Sequence, residues 1–179
     1  MISLQASDFE LFGLPTAFAL DRAQLDLQWK SLQREAHPDR FASEGAAAQR
    51  IAMQWSVRIN EAYNRLKDPL KRAAYMCELH GAAVNAENNT SMPSAFLMQQ
   101  MEWREALDDC KAIKALDAKN DALEKLLDEV DGSHAQALKQ IASLIDADQN
   151  YAAAVGQVRA LMFIEKFAQE VQHQLDACS

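Results

Sequence analysis

Apolar residues in the first eighty positions recur at the spacing of an α-helix, in two separate runs. The first run follows Asp21, a residue type that caps helix N-termini, and its apolar positions are Leu25, Trp29, Leu32 and Ala36. The second run begins at Ala46 and has its apolar positions at Ile51, Trp55, Ile59, Ala62 and Leu66. Two such helices with a short connection predict an antiparallel helical hairpin.

Three further helical runs follow residue 93. The first has an apolar stripe at Phe96, Trp103, Leu107 and Cys110. The second has a stripe at Leu123, Leu127, Val130, Ala137, Ile141 and Ile145, and Gly132 allows a bend or a break within it. The third is apolar almost all round between Val158 and Phe167, with a main stripe at Leu161, Ile164, Ala168 and Val171. These runs predict a bundle of three antiparallel helices.

The two groups of helices are separated by a stretch without helical periodicity, HGAAVNAENNTSMPS, which begins at His80. We therefore expect an N-terminal helical unit over residues 1–80, a linker over 81–93 and a C-terminal bundle over 94–179. Gly and Pro are scarce, with 5 and 4 residues, and runs of β-branched residues are absent. The predicted fold class is all-α.

Charge and composition narrow the possible partners. Residues 1–80 carry ten basic and ten acidic side chains, so the second part of the chain accounts for the net charge of −8. This acidic second part argues against nucleic acid as a partner, or it simply keeps the protein in solution. No apolar run is long enough to span a membrane, and no secretory signal is recognisable. Three scattered cysteines fit neither a disulfide framework nor a zinc site, so we expect a reduced cytoplasm.

The sequence REAHPDRF connects the two helices of the hairpin. Pro38 disfavours helical geometry at His37, so the first helix should end there and leave the cluster in an exposed loop. A nucleophilic site would need a Ser or Cys beside the histidine, and Cys77 is expected on another helix. His37 and Asp39 alone are too few ligands for a metal. A surface for another protein, or a simple turn shaped by Pro38 and Asp39, remains open.

A basic side accompanies this loop. Lys30, Arg34 and His37 recur at helical spacing on a face distinct from the apolar stripe. That face either meets an acidic partner or is ordinary solvated surface.

The helix that follows Ser94 has a second apolar side. Leu97, Met98 and Met101 point away from its stripe, with Glu102 and Glu105 beside them. This side either packs on the first unit or is an exposed recognition patch. Methionine adapts its shape to a partner, and acidic neighbours select a basic one. Phe163 stands apart from the stripe of the last helix and belongs either to that patch or to the core.

The hairpin resembles the J-domain of DnaJ-type co-chaperones. The resemblance rests on the His-Pro-Asp tripeptide together with a downstream pattern formed by Tyr63, Leu66, Asp68, Pro69, Arg72, Ala73 and Tyr75. J-domains dock on a seventy-kilodalton heat-shock chaperone and stimulate its ATPase, which implies a chaperone-binding role for Lys30, Arg34, His37, Pro38 and Asp39. One departure from the pattern is Ala36, which stands where a large aromatic residue usually precedes the histidine, and it puts the packing behind the loop in question.

Over nearly its whole length the chain resembles the HscB family, specialised J-type co-chaperones of iron–sulfur cluster assembly. The segments LFGLP, HPDRFAS, RAAYMCELHG and AFLMQQMEWREALD occur in the order typical of that family. The resemblance implies two protein partners, an HscA-type chaperone and an IscU-type cluster scaffold. The implied scaffold-binding residues are Leu97, Met98, Met101, Glu102, Glu105 and Phe163. It further implies an adapter with no cofactor of its own and no catalytic residues. A J-domain co-chaperone for a different client is the alternative.

Overall fold

The structure is a computed structural model, which describes residues 5–85 and 91–178. All regular elements within these residues are helical, so the prediction of an all-α fold is confirmed. The α-helices are α1 (Asp8–Leu11), α2 (Arg22–Glu35), α3 (Ala46–Lys67), α4 (Pro69–Leu79), α5 (Ser94–Ala112), α6 (Leu116–Ala142) and α7 (Tyr151–Asp176). A 3₁₀ turn at Pro38–Phe41 follows α2, and a π-helical turn at Ser143–Ala147 follows α6.

The chain forms two compact units, one ending at Tyr75 and the other beginning at Met76. Part of the predicted linker, residues 86–90, lies outside the described residues, so the linker over 81–93 stays a prediction. In the described part of the chain, no helix has the length and hydropathy needed to cross a membrane.

The hairpin of the first unit consists of α2 and α3. Helix α2 starts where the sequence predicts, because the Asp21 carboxylate accepts hydrogen bonds from two backbone N–H groups of the first turn. Trp29 stacks on Tyr63 with 4.5 Å between ring centroids, and its Nε1 donates to Asn60 Oδ1 at 3.0 Å. Closer to the loop, Ser56 Oγ donates to Gln33 Oε1 at 3.0 Å. These contacts fix the register between the two helices.

A buried carboxylate ties the N-terminal turn to the hairpin. Asp8, in α1, has no solvent-exposed surface, and its carboxylate lies 2.7 Å from Arg58 Nη1 and 3.0 Å from Arg65 Nη1. Its backbone N–H donates to Tyr75 Oη at 2.9 Å. One side chain therefore joins α1 to two turns of α3, and its backbone joins α1 to α4.

The predicted apolar stripe of α3 is correct in its second half and wrong at its start. Ile59, Ala62 and Leu66 are buried, whereas Ile51 is 55% exposed and Ala52 is buried instead. Ile51 lies on the wall of an open apolar cleft of about 490 Å³, next to the loop. The cleft is lined by Leu11, Leu32, Glu35, Ala36, Phe41, Glu44, Ala48, Ile51, Ala52, Trp55 and Ile59. Ala36 fills little of this space, so the packing behind the loop is open.

The second unit contains α5, α6 and α7. Trp103 of α5 stacks on Phe167 of α7 with 5.6 Å between centroids, and its Nε1 donates to Glu129 Oε1 of α6 at 3.0 Å. The prediction for α6 is wrong at one position. Leu127, which was predicted for the stripe, is only half-buried, and its neighbour Leu126 is buried in its place. The helix continues unbroken through Gly132, which is exposed and has open space around its Cβ position. A glycine there weakens helix propensity without disturbing any packing contact.

The buried ion pairs of Asp8 generate a stability prediction. Asp8→Asn leaves two guanidinium groups without their counter-charge, and we expect it to lower the free energy of unfolding by about 3 kcal/mol. Urea melts followed by circular dichroism measure this. The control is Asp108→Asn, which removes the exposed pair with Lys111 and should change stability by less than about 1 kcal/mol. Equal effects of the two substitutions would contradict a special role for the buried carboxylate.

Candidate partner-binding surfaces

The His-Pro-Asp loop is a short 3₁₀ turn capped by its own histidine. His37 has extended backbone geometry, with φ −65° and ψ 125°, as the following proline requires. Its Nδ1 accepts a hydrogen bond from the Asp39 backbone N–H at 3.3 Å, and its carbonyl accepts one from the Arg40 N–H at 3.0 Å. Since Nδ1 is an acceptor, the neutral ring carries its proton on Nε2.

Both polar side chains of the tripeptide face solvent. The His37 side chain is 58% exposed and that of Asp39 is 91% exposed. The 3.7 Å separation between His37 Nδ1 and Asp39 Oδ2 is too long for a hydrogen bond. The loop therefore offers an N–H donor and a carboxylate, next to the half-buried ring of Pro38.

Basic side chains surround the loop on the α2 side. Lys30 and Arg34 are exposed, as the sequence predicts. Arg40 directly follows the tripeptide but is not among the chaperone-binding residues predicted from the sequence. Its Nη1 donates to the Arg34 carbonyl at 3.3 Å, and this hydrogen bond joins the 3₁₀ turn to the end of α2. Arg34, His37 and Arg40, with Gln33, line an open depression of about 450 Å³.

The properties of Cys77, the cysteine considered as a nucleophile from the sequence, do not suit that role. Cys77 is buried, and burial, with a smaller contribution from the charge of Glu78, raises the pKa of its thiol to about 11. The reactive thiolate is therefore scarce at neutral pH. In residues 5–85 and 91–178, no three His, Cys, Asp or Glu side chains are grouped as a metal ion would require.

A second surface lies on α5. Phe96, Trp103, Leu107 and Cys110 are buried, as predicted for its core stripe. On the other side of the helix, Leu97, Met98 and Met101 are 43%, 68% and 74% exposed. Glu102 and Glu105 are exposed beside them. We call these five residues the α5 patch. An apolar cluster of this kind in solvent is typical of a recognition surface.

Phe163 of α7 is half-buried and contacts α5 through Phe96 and Arg104. Its ring meets Phe96 edge-on at 5.8 Å and stacks on Phe167 at 6.0 Å. The guanidinium of Arg104 lies 5.6 Å from the Phe163 ring centroid and pairs with Glu170 at 2.7 Å. Arg104 is not among the residues predicted from the sequence, although it follows Leu97 by seven residues and hence lies on the same side of α5.

Comparison with known proteins identifies a family-model match and close relatives. Residues 92–172 match the family model described as the HSCB C-terminal oligomerisation domain. The co-chaperone protein HscB homolog of Burkholderia multivorans is 50% identical over 176 residues, 98% of each chain. The homolog of Paraburkholderia xenovorans is 49% identical over the same length.

Two solved structures share the fold of this chain. The chaperone HscB from Vibrio cholerae, 36% identical, covers 97% of this chain and 100% of its own, with a TM-score of 0.83. Human co-chaperone HscB, at 21% identity, shares the fold with a TM-score of 0.84, covering 97% of this chain and 84% of its own. The fold and the relatives together define a co-chaperone of the J type. The chain belongs to the HscB family.

The exposure of the α5 patch leads to a stability prediction. Replacing Leu97, Met98 and Met101 together by Ala should lower the free energy of unfolding by about 1.5 kcal/mol or less in total, because exposed truncations cost about 0.5 kcal/mol or less each. Trp103→Ala, on the buried side of the same helix, should lower the free energy of unfolding by about 3–5 kcal/mol. If the triple variant unfolded as readily as Trp103→Ala, the three residues would belong to the core.

Proposed function

We propose that this protein is an adapter co-chaperone of iron–sulfur cluster assembly in the cytoplasm. In this proposal it binds an IscU-type cluster scaffold, delivers it to an HscA-type chaperone and stimulates the ATPase of that chaperone. The protein itself is not an enzyme, and the cluster belongs to the scaffold. Maturation of iron–sulfur proteins is the process that it serves.

The observation that carries the proposal is the presence of two separate exposed surfaces of different chemistry in a chain of this family. The first surface is the His-Pro-Asp loop with Lys30 and Arg34, which is cationic and hydrogen-bonding. The second is the α5 patch with Phe163, which is apolar with an acidic edge. Two such surfaces suit two different partners, an acidic one and one with apolar and basic groups.

The loop has the polar groups that a regulatory contact needs. The Nε2–H of His37 donates, the carboxylate of Asp39 accepts, and both lie at the tip of the hairpin, where a partner reaches them without rearrangement of the core. The adapter raises the effective concentration of scaffold at the chaperone, because binding of both partners to one chain makes their encounter intramolecular.

A co-chaperone with another client is the rival proposal. It would use the loop in the same way but would have no need of the α5 patch. The two proposals differ in the partner that binds the second unit, and direct mixing with purified scaffold distinguishes them.

His37 gives the test of the first surface. We expect His37→Gln to abolish stimulation of the HscA-type ATPase, because the hydrogen-bond donor at Nε2 and the cap at Nδ1 are both altered. The fold should survive, because the His37 side chain is exposed. Steady-state phosphate release measures the stimulation. His173→Gln, at an exposed position of α7, is the control and should stimulate normally. Full stimulation by His37→Gln would refute the proposed role of the loop.

The α5 patch gives the test of the second surface. Replacement of Leu97, Met98 and Met101 by Ala should weaken binding of an IscU-type scaffold by about a hundredfold, because central apolar anchors dominate interface energies. Isothermal titration calorimetry measures the affinity. Leu116→Ala, also an exposed apolar truncation in the second unit, should bind normally. A wild-type chain that does not bind the scaffold would favour the rival proposal, and wild-type affinity of the triple variant would remove the patch as the site.

A further inference from the structure

Exposed apolar side chains in the first unit are concentrated on one side of the hairpin. Four large ones are exposed among its described residues: Leu27 at 68%, Ile51 at 55%, Met53 at 59% and Val57 at 51%. Single exposed apolar residues need no explanation. Three of these four nevertheless share a surface with the basic residues beside the loop, and the fourth, Ile51, does not.

The contacts between α2 and α3 establish how Met53 and Val57 are placed along the hairpin. Gln33 of α2 is hydrogen-bonded to Ser56 of α3, both to its hydroxyl and to its carbonyl. The two helices are antiparallel, so one turn beyond Gln33 toward the loop is His37, and one turn before Val57 is Met53. Met53 therefore lies level with the histidine, and Val57 lies level with Gln33.

The direction of these side chains follows from the helical period. Asn60 of α3 faces α2, because it accepts the hydrogen bond from Trp29. Successive side chains are rotated by about 100° about the helix axis. Measured from Asn60, the Met53 side chain is rotated by about 20° and that of Val57 by about 60° about the axis of α3, in the direction opposite to buried Ile59. Both side chains point outward, away from the core.

The basic residues of α2 point the same way. Lys30 and Arg34 lie about 60° and 100° further round α2 than Gln33, again on the side away from the core. Leu27 precedes Arg34 by seven residues and shares its direction. We call Leu27, Lys30, Arg34, His37, Met53 and Val57 the hairpin face.

Apart from the exposed Asp39 carboxylate of the loop itself, the charged side chains of the hairpin face near the loop are cations. Arg50 of α3 precedes Val57 by seven residues, so it is on the same side of α3, and it is exposed. Glu61, a carboxylate on that side, lies eight residues beyond Met53, about 12 Å further from the loop. An apolar strip among cations complements a partner surface that has an apolar depression with an acidic rim.

We propose that the hairpin face docks on the ATPase chaperone, with Met53 and Val57 as the apolar contacts that hold the complex together. This inference rests on the proposed function, and it adds α3 to a surface that sequence reasoning had confined to α2 and the loop. The basic and the apolar residues of the hairpin face act on different steps of binding. Long-range attraction by Lys30 and Arg34 speeds the encounter, whereas desolvation of Met53 and Val57 slows dissociation.

The test compares variants of the full-length chain binding to purified, ATP-loaded HscA-type chaperone by stopped-flow fluorescence at low and high salt. Met53→Gln with Val57→Gln should raise Kd at least tenfold through faster dissociation, to a similar degree at both salt concentrations. Lys30→Ala with Arg34→Ala should instead slow association at low salt, and this difference should shrink at high salt as screening increases.

Ile51→Gln is the matched control, since Ile51 is equally exposed on the same helix but faces the cleft on the other side. It should bind like the wild type. Met53→Leu with Val57→Ile keeps the surface apolar and should retain affinity, which separates lost contact from lost folding.

Wild-type affinity of the Gln double variant, in a wild-type chain that binds and stimulates the chaperone, would overturn the inference and leave the proposed function intact. An equal loss in Ile51→Gln would also overturn it. Failure of the wild-type chain to bind the chaperone would overturn both.

Discussion

The register of α2 against α3 is the constraint on which the first unit depends. Trp29 sets it at the middle of the hairpin, through its stack on Tyr63 and its hydrogen bond to Asn60, and Gln33 sets it again near the loop. A shift of one residue on either helix would rotate its outer side by about 100°. The cations of α2 would then no longer share a surface with the apolar strip of α3. A few polar contacts between the helices thus determine which side chains a partner meets together.

The sequence predicts those parts of the fold that depend on helical period and local chemistry. Asp21 predicts the start of α2, Pro38 predicts its end, and the apolar residues predict the buried sides of α3 and α5. Prediction from sequence fails where the burial of a residue depends on which other segments of the chain pack against it. Ile51 has the right period for the core, but the structure places it on the wall of an open cleft, where no other segment among the described residues covers it. In α6 the period allows either Leu126 or Leu127, and only the positions of α5 and α7 decide between them.

The candidate sites divide in the same way. The loop and the α5 patch are recognisable from sequence, because a tripeptide and an apolar second side are local features. Arg40, Arg104, Met53 and Val57 escaped recognition because their significance comes from contacts with another segment. Arg104 matters through Phe163, which is more than fifty residues away, and Met53 matters through its position across from His37. Side chains of this kind need the tertiary structure to be found.

The open cleft behind the loop bears on the entropy of binding. A loop that rests on a filled core is already ordered, whereas Phe41 and Ala36 here border about 490 Å³ of open apolar space. Any partner that fixes such a loop in one conformation must offset the freedom that the loop loses. We therefore expect a larger residue at position 36 to fill part of this space, to reduce the freedom of the loop and to leave more of the contact energy as affinity. A substitution at position 36, in the cleft behind the loop, is thus expected to change the affinity without any change in the residues that the partner contacts.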